Sequence, residues 1–262
     1  MIGGVGAISL AGRMRAGSAP WTPADAGAAL LSWMRGDDPG ASINTTPTPH
    51  QYAAIPDRGS IGGSFAQATS GNQPQVSTAW APSPAPLFPG PGRLAHSAAP
   101  ASFAFLHDGL SAYLLSLVVR PTADGAVRHI AQTYTGVTSD VGLNLRLDTN
   151  NRLVVTFGNG TGSTALNILG GTGTVLTGNT YTFTLSVNGT SVTAYQNGAV
   201  VGSGPLSSPS ASAPAHTLGV GTHAAFFDSG SPIWIPEIVL FKDAPPDRSV
   251  VEEYLSRWSY TP

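Results

Sequence analysis

Apolar and polar residues alternate with a period of two through most of the second half of the chain. Tyr181, Phe183, Leu185 and Val187 alternate with Thr180, Thr182, Thr184 and Ser186. Two Asn-Gly dipeptides, Asn188-Gly189 and Asn197-Gly198, then bracket the next run. Asn-Gly between alternating runs is the strongest short-range hairpin signal, because a type I′ turn needs positive φ at both central residues. The stretch therefore predicts a three-stranded meander. With two-residue turns at both dipeptides, Val187 pairs with Thr190 and Gln196 with Ala199. Val192, Ala194 and Val201 then join the Phe183 face, and Thr193, Tyr195 and Val200 lie opposite.

The same period runs through "VGLNLRLDTNNRLVVTF", a hairpin with Val141, Leu143, Leu145 and Leu147 on one face and Asn144, Arg146 and Asp148 on the other. "SFAFL", "YLLSLVVRP", "RHIAQTY", "TALNIL", "HTLGVGTH" and "SPIWIPEIVLF" predict further strands, and the continuous apolar run at 113–121 predicts burial on both faces. Near the start, Thr22, Pro23 and Asp25 supply an N-cap, a first-turn proline and a capping-box acid for a short helical turn. "LLSWMR" follows as a strand with Leu31 and Trp33 on one face. After "KDAPPD" the period changes. Val250, Val251, Tyr254, Leu255 and Trp258 fall at helical spacing behind an Asp247 cap. Residues 1–20 read as a Gly-rich arm and 21–262 as one domain. Within it, 36–101 is so rich in Pro, Gly, Ser and Thr that a long loop is expected. "APSPAPLFPGPG" at 81–92 is excluded from a central strand because proline removes ladder donors.

Composition narrows the class. The chain has 262 residues, net charge −2, one lysine against eleven arginines, and no cysteine. Disulfides and thiolate metal sites are excluded. Nothing favours a phosphate backbone or an anionic membrane, and no apolar run reaches the ~18 residues of a membrane span. No basic residue precedes the apolar part of the first fifteen, so that segment reads poorly as a secretory leader.

Four segments in order carry a family resemblance: "ALLSWMRGDDPGASI", "IPDRGSIGGSFAQATSGNQPQVS", "LSVNGTSVTAYQNGAVVG" and "IPEIVLFKDAPPDRSVVEEYLSRW". Together the chain resembles the concanavalin A-like, laminin-G-type jelly rolls of bacterial and phage proteins. The resemblance implies an all-β fold of two packed antiparallel sheets, with a short N-terminal helical turn and a C-terminal amphipathic helix. It says much less about activity, since this fold hosts lectins, glycosidases, receptors and structural proteins.

Glycosidases of this fold place paired carboxylates a few residues apart on one strand. The only glutamates are Glu237, Glu252 and Glu253, without such a pairing, and Asp140 and Asp148 flank a single strand. No Gly-x-Ser-x-Gly elbow occurs, and Lys242 follows Phe241 rather than the glycine of a phosphate loop. The expectation is a non-enzymatic protein without a cofactor. The six histidines are scattered. The loop acids Asp37, Asp38, Asp57 and Asp228 are the weak calcium candidates, because calcium takes clustered oxygen ligands. Tyr195, with Thr193 beside it, Tyr134 and Trp80 are the candidate contact residues for a sugar. Trp33, Trp234 and Trp258 read as core. Two functions fit. The first is a structural protein of a phage virion, a capsid decoration or tail-associated protein. It would form a homo-oligomer with an assembly arm and contact other virion proteins. The second is a carbohydrate-binding module for cell-surface glycan, at the bacterial surface or outside the cell. Neither uses nucleic acid or membrane.

Overall fold

The computed structural model describes residues 19–46, 48–78, 83–90, 92–123, 125–133, 140–161, 175–221 and 232–258, and the backbone of 164–169. The fold is a concanavalin A-like jelly roll in which every strand pairing is antiparallel. With strands numbered in chain order, the first sheet runs β15 (Ala199–Pro205), β14 (Ser191–Gln196), β13 (Tyr181–Asn188), β8 (Ala112–Pro121), β17 (Ile233–Lys242) and β1 (Leu30–Arg35). The second runs β4 (Ser64–Ala66), β7 (Arg93–His96), β16 (Gly219–Gly221), β9 (Arg128–Gln132), β10 (Val141–Leu147), β11 (Leu153–Asn159) and β12 (Thr164–Leu169). Short strands β2 (Ser42–Asn44), β3 (Gln51–Pro56), β5 (Gln75–Ser77) and β6 (Ala85–Phe88) join the two, through β3 to β4 and through β6 to β17.

Leu115, Leu117, Phe183 and Leu185 of the first sheet and Leu94, Ile130, Leu143, Leu145, Val155 and Phe157 of the second form one core. Burying each such side chain contributes about 1.5–3 kcal/mol. Leu114 and Val118 point the other way, into a second cluster with Val239, Phe241, Val251, Leu255 and Trp258. The apolar run at 113–121 is therefore buried on both faces, because the C-terminal helix α1 (Arg248–Leu255) and the turn Ser256–Trp258 cover the outside of the first sheet. Asp247 caps α1, accepting from the Ser249 amide at 2.8 Å. No helix among the described residues is long and apolar enough to cross a membrane.

Two buried carboxylates tie the layers together. Glu237, fully buried on β17, accepts from Trp33 Nε1 at 2.6 Å, Tyr254 Oη at 3.0 Å, Arg257 Nη2 at 2.6 Å and Trp258 Nε1. It thereby joins β1 to the helical C-terminus. Asp57 accepts from Ser32 Oγ at 2.6 Å, the Trp33 amide at 2.8 Å, the Gly59 amide at 2.7 Å and His96 Nε2 at 2.7 Å. His96 Nδ1 accepts from the Ala98 amide, which places the ring proton on Nε2. Gly59 packs so closely on β1 that a Cβ there would strike the backbone of Leu31 and Ser32.

Several expectations need correction. Residues 36–101 are not a long loop: β2 to β7 lie within them. β6 pairs on both sides despite its proline. Only Leu87 and Phe88 face β17, so the missing amide of Pro86 falls outside that ladder. "SFAFL" lies in a 3₁₀ turn, Pro100–Leu106, rather than a strand, with Pro100 at its start and Phe103, Phe105 and Leu106 buried. Leu31 and Trp33 do not share a face. A bulge between Leu30 and Ser32 turns Leu31 toward the main core and leaves Trp33 against α1. In the meander, Gln196 pairs with Ala199, and Asn197 and Gly198 take φ 49° and 80°. The first turn is displaced: Asn188 pairs with Ser191, and the loop is Gly189-Thr190, with φ 58° at Gly189. Glycine leads the loop, as in a type II′ turn. The shift in register is two residues, an even number, so the predicted faces survive.

A trough on the outer face of the second sheet

Cross-strand neighbours in antiparallel ladders share a face. Across the second sheet, Ala66 pairs with Ala95, Ala95 with Gly219, Gly219 with Gln132, Gln132 with Asn144, and Asn144 with Thr156. Three small residues are thus followed by two amides and a hydroxyl in one row. The inward neighbours Leu94, Leu143 and Leu145 face the core, so this row faces outward. Where the side chains are small the surface sinks into a trough of about 400 Å³, within the roughly 300–1,000 Å³ of ligand pockets. Gln67, Arg93, Gln132, His216 and Thr217 line it above the small-residue floor. Gly219 accepts a side chain without backbone conflict: a Cβ there meets nothing nearer than 3.6 Å.

The polar lining is underused by the protein itself. Gln132 is 2 % exposed; its Nε2 donates to the Gly221 carbonyl at 3.2 Å, but its buried Oε1 has no partner. The buried Thr217 Oγ1 also has none, and neither do both amide atoms of the fully buried Asn144 beside Gln132. Each buried polar atom left so costs about 1–3 kcal/mol. Arg35, Arg58, Arg152, Arg248 and Arg257 each hold a carboxylate. Arg93 holds none among the described residues, and burial alone lowers its pKa. Burial also lowers the pKa of His216, against the pull of Asp140 and with the push of Arg93. The imidazole is therefore held neutral near pH 7, and Arg93 supplies the charge of the lining. No Asp or Glu is among the described lining residues.

Those expected site residues that are described lie away from the trough and are not brought together. Tyr195 and Thr193 are half-buried on the first sheet, and the Arg248 guanidinium stacks 4.1 Å from the Tyr195 ring centroid. The hydroxyl-rich face beside them is closed by α1: Thr184 is buried and accepts from Ser116. A ring face that would meet a sugar is taken by this chain's own helix. Tyr134, Trp80 and Asp228 lie outside the described residues. Asp37 binds Arg35 at 3.0 Å and Arg257 at 3.5 Å, Asp38 binds Arg58 at 2.7 Å, and Asp57 holds His96. The three acids are each spent on a separate cation or ring, and no cluster suited to a metal ion occurs among the described residues. Trp33 and Trp258 are buried as expected, and Trp234 is partly buried against the second cluster.

Sequence reasoning missed the trough. Asn144 was visible as the polar face of a hairpin, but its burial was not. Arg93, Gln132, His216 and Thr217 carry no local signal, because they meet only through pairings between β7, β16 and β9, strands far apart in the chain.

The family model described as concanavalin A-like lectin/glucanases superfamily, Laminin_G_3, matches residues 98–232. Among solved structures, the chain is similar to the binding domain of Botulinum Neurotoxin DC in complex with SialylT. The identity is 12 % and the TM-score 0.58, over 90 % of this chain and 52 % of that one. It is similar to the binding domain of Paraclostridial Mosquitocidal Protein 1, with 11 % identity and TM-score 0.59 over 87 % and 52 %. It also resembles a botulinum neurotoxin type C structure described as depending on two ganglioside molecules for cell entry, with 9 % identity and TM-score 0.57 over 92 % and 54 %. The chain thus spans about half the length of these structures. No curated protein matches it. On the family match and the jelly-roll topology together, the chain belongs to the concanavalin A-like lectin/glucanases superfamily.

Proposed function

We propose that the domain is a non-catalytic carbohydrate-binding module that takes a cell-surface glycan in the trough over β4, β7, β16 and β9. The observation that carries this reading is the unpartnered, buried Gln132 Oε1 in a small-floored trough. A sugar hydroxyl is the natural donor to such an oxygen, and Thr217 Oγ1 offers a second contact. The absence of Asp and Glu from the described lining favours binding over hydrolysis, which needs two carboxylates flanking the scissile bond. Two of the similar solved structures are named as binding domains, one of them in complex with SialylT, and a third is described by the dependence of toxin cell entry on two ganglioside molecules. That supports glycan binding better than the virion role, for which the same comparisons offer nothing.

A glycan array tests this directly. Wild type should bind at least one class of glycan. Gly219→Val, which fills the floor from a strand position without backbone conflict, should lose it while melting as wild type does. No binding to any glycan, or full binding by Gly219→Val, overturns the proposal.

A further inference from the structure

Resting on the trough as the glycan site, we infer that its ligand carries a carboxylate, as a sialic or uronic acid does. Arg93 stands on β7 directly opposite Gly221, a position with no side chain to screen it. It is half-buried, lines the trough, and has no ion-pair partner among the described residues. A guanidinium partly withdrawn from water without an anion is an unfavourable arrangement in the free protein. A ligand carboxylate relieves it through two parallel N–H···O bonds, the geometry that makes arginine the preferred carboxylate reader. Asp140 acts on His216, whereas burial is the influence that displaces Arg93 from its ordinary pKa. Beside Arg93, the neutral His216 and the Gln132 and Thr217 oxygens would meet the hydroxyls of the same sugar. Among the described residues the trough offers one charged contact and several neutral ones, which matches a monoanionic sugar residue rather than a polyanion.

The test is calorimetric titration with α2,3-sialyllactose, glucuronic acid and neutral lactose, using wild type, Arg93→Gln and Arg93→Lys, each checked by thermal melting. One or both acids should bind at least roughly tenfold more tightly than lactose, the range of a charge-assisted bond. Arg93→Gln should erase that preference, and Arg93→Lys should keep part of it. The two acids separate a sialic from a uronic ligand. Equal binding of lactose and both acids by wild type, or an acid preference that survives Arg93→Gln, overturns the inference. If lactose binds and Gly219→Val blocks it, the glycan reading stands while this one falls. If none of the three binds, this inference falls, and the glycan reading is decided by the array.

Discussion

Replacing Glu237 with glutamine should unlock the C-terminal helix from the first sheet. The carboxylate is fully buried and accepts four hydrogen bonds, two at each oxygen: Trp33 and Tyr254 at Oε1, Arg257 and Trp258 at Oε2. Glutamine keeps the volume but turns one oxygen into a donor, so two existing donors lose their acceptor whichever way the amide settles. An orphaned buried donor costs about 1–3 kcal/mol, and removing one partner of a buried ion pair about 3–5 kcal/mol. The Arg257 side chain is 33 % exposed and keeps Asp37 at 3.5 Å, which softens the second figure. A net loss of about 3 kcal/mol is expected. For a chain of this size that lowers the melting temperature by roughly 6 °C. Differential scanning calorimetry of Glu237→Gln reads it, with the exposed Glu253→Gln as a control that should stay within about 0.5 kcal/mol of wild type. A Glu237→Gln shift below about 2 °C would show that the four-donor node is not a principal clasp of the fold.

Asp57 should give the fold an acid limit. Burial pushes its carboxyl up, but the bonds from His96, Ser32 and the Trp33 and Gly59 amides outweigh burial and hold it below its ordinary 3.8. A depressed folded pKa contributes stability above the unfolded value that is lost as pH falls through the folded one. Asp57→Asn should therefore be less stable than wild type at pH 7, with the gap closing below about pH 4; melts from pH 2 to 7 showing a constant gap would refute this. Tyr195→Ala should leave glycan binding unchanged and cost about 1 kcal/mol through the lost Arg248 stacking, read by titration and melting on the same sample. Loss of binding without loss of stability would return the site to the Tyr195 face.

The fold was legible where side chains alternate in long runs. β8, β10, β11, β13 and β14 stand where the pattern puts them, and the helical stripe of Val251, Leu255 and Trp258 is the buried one. The Asn188-Gly189 turn shows a subtler point. Its position was displaced, yet Phe183, Leu185, Val192 and Ala194 share the buried face, because only an odd shift exchanges faces. The strands within 36–101 were hidden because they are three to six residues long and interrupted by Gly and Pro, too short for a period to show. The four resemblance segments pointed to the fold, and the structure gives part of the reason: Trp33, Asp57, Glu237, Tyr254 and Trp258, one or more from three of those segments, form the two carboxylate clasps. Their chemistry is structural. The trough residues had no such signal, since Arg93, Gln132 and Thr217 belong to segments that meet only in the folded sheet.

The most direct test of the trough as the glycan site is residue-resolved: backbone amide chemical shifts during titration with the best saccharide from the array. The amides of Ala95, Gln132 and Gly219 should move together along one binding isotherm while those of Thr193 and Tyr195 stay fixed. Shifts confined to Thr193, Tyr195 and α1, with the trough amides unmoved, would contradict it.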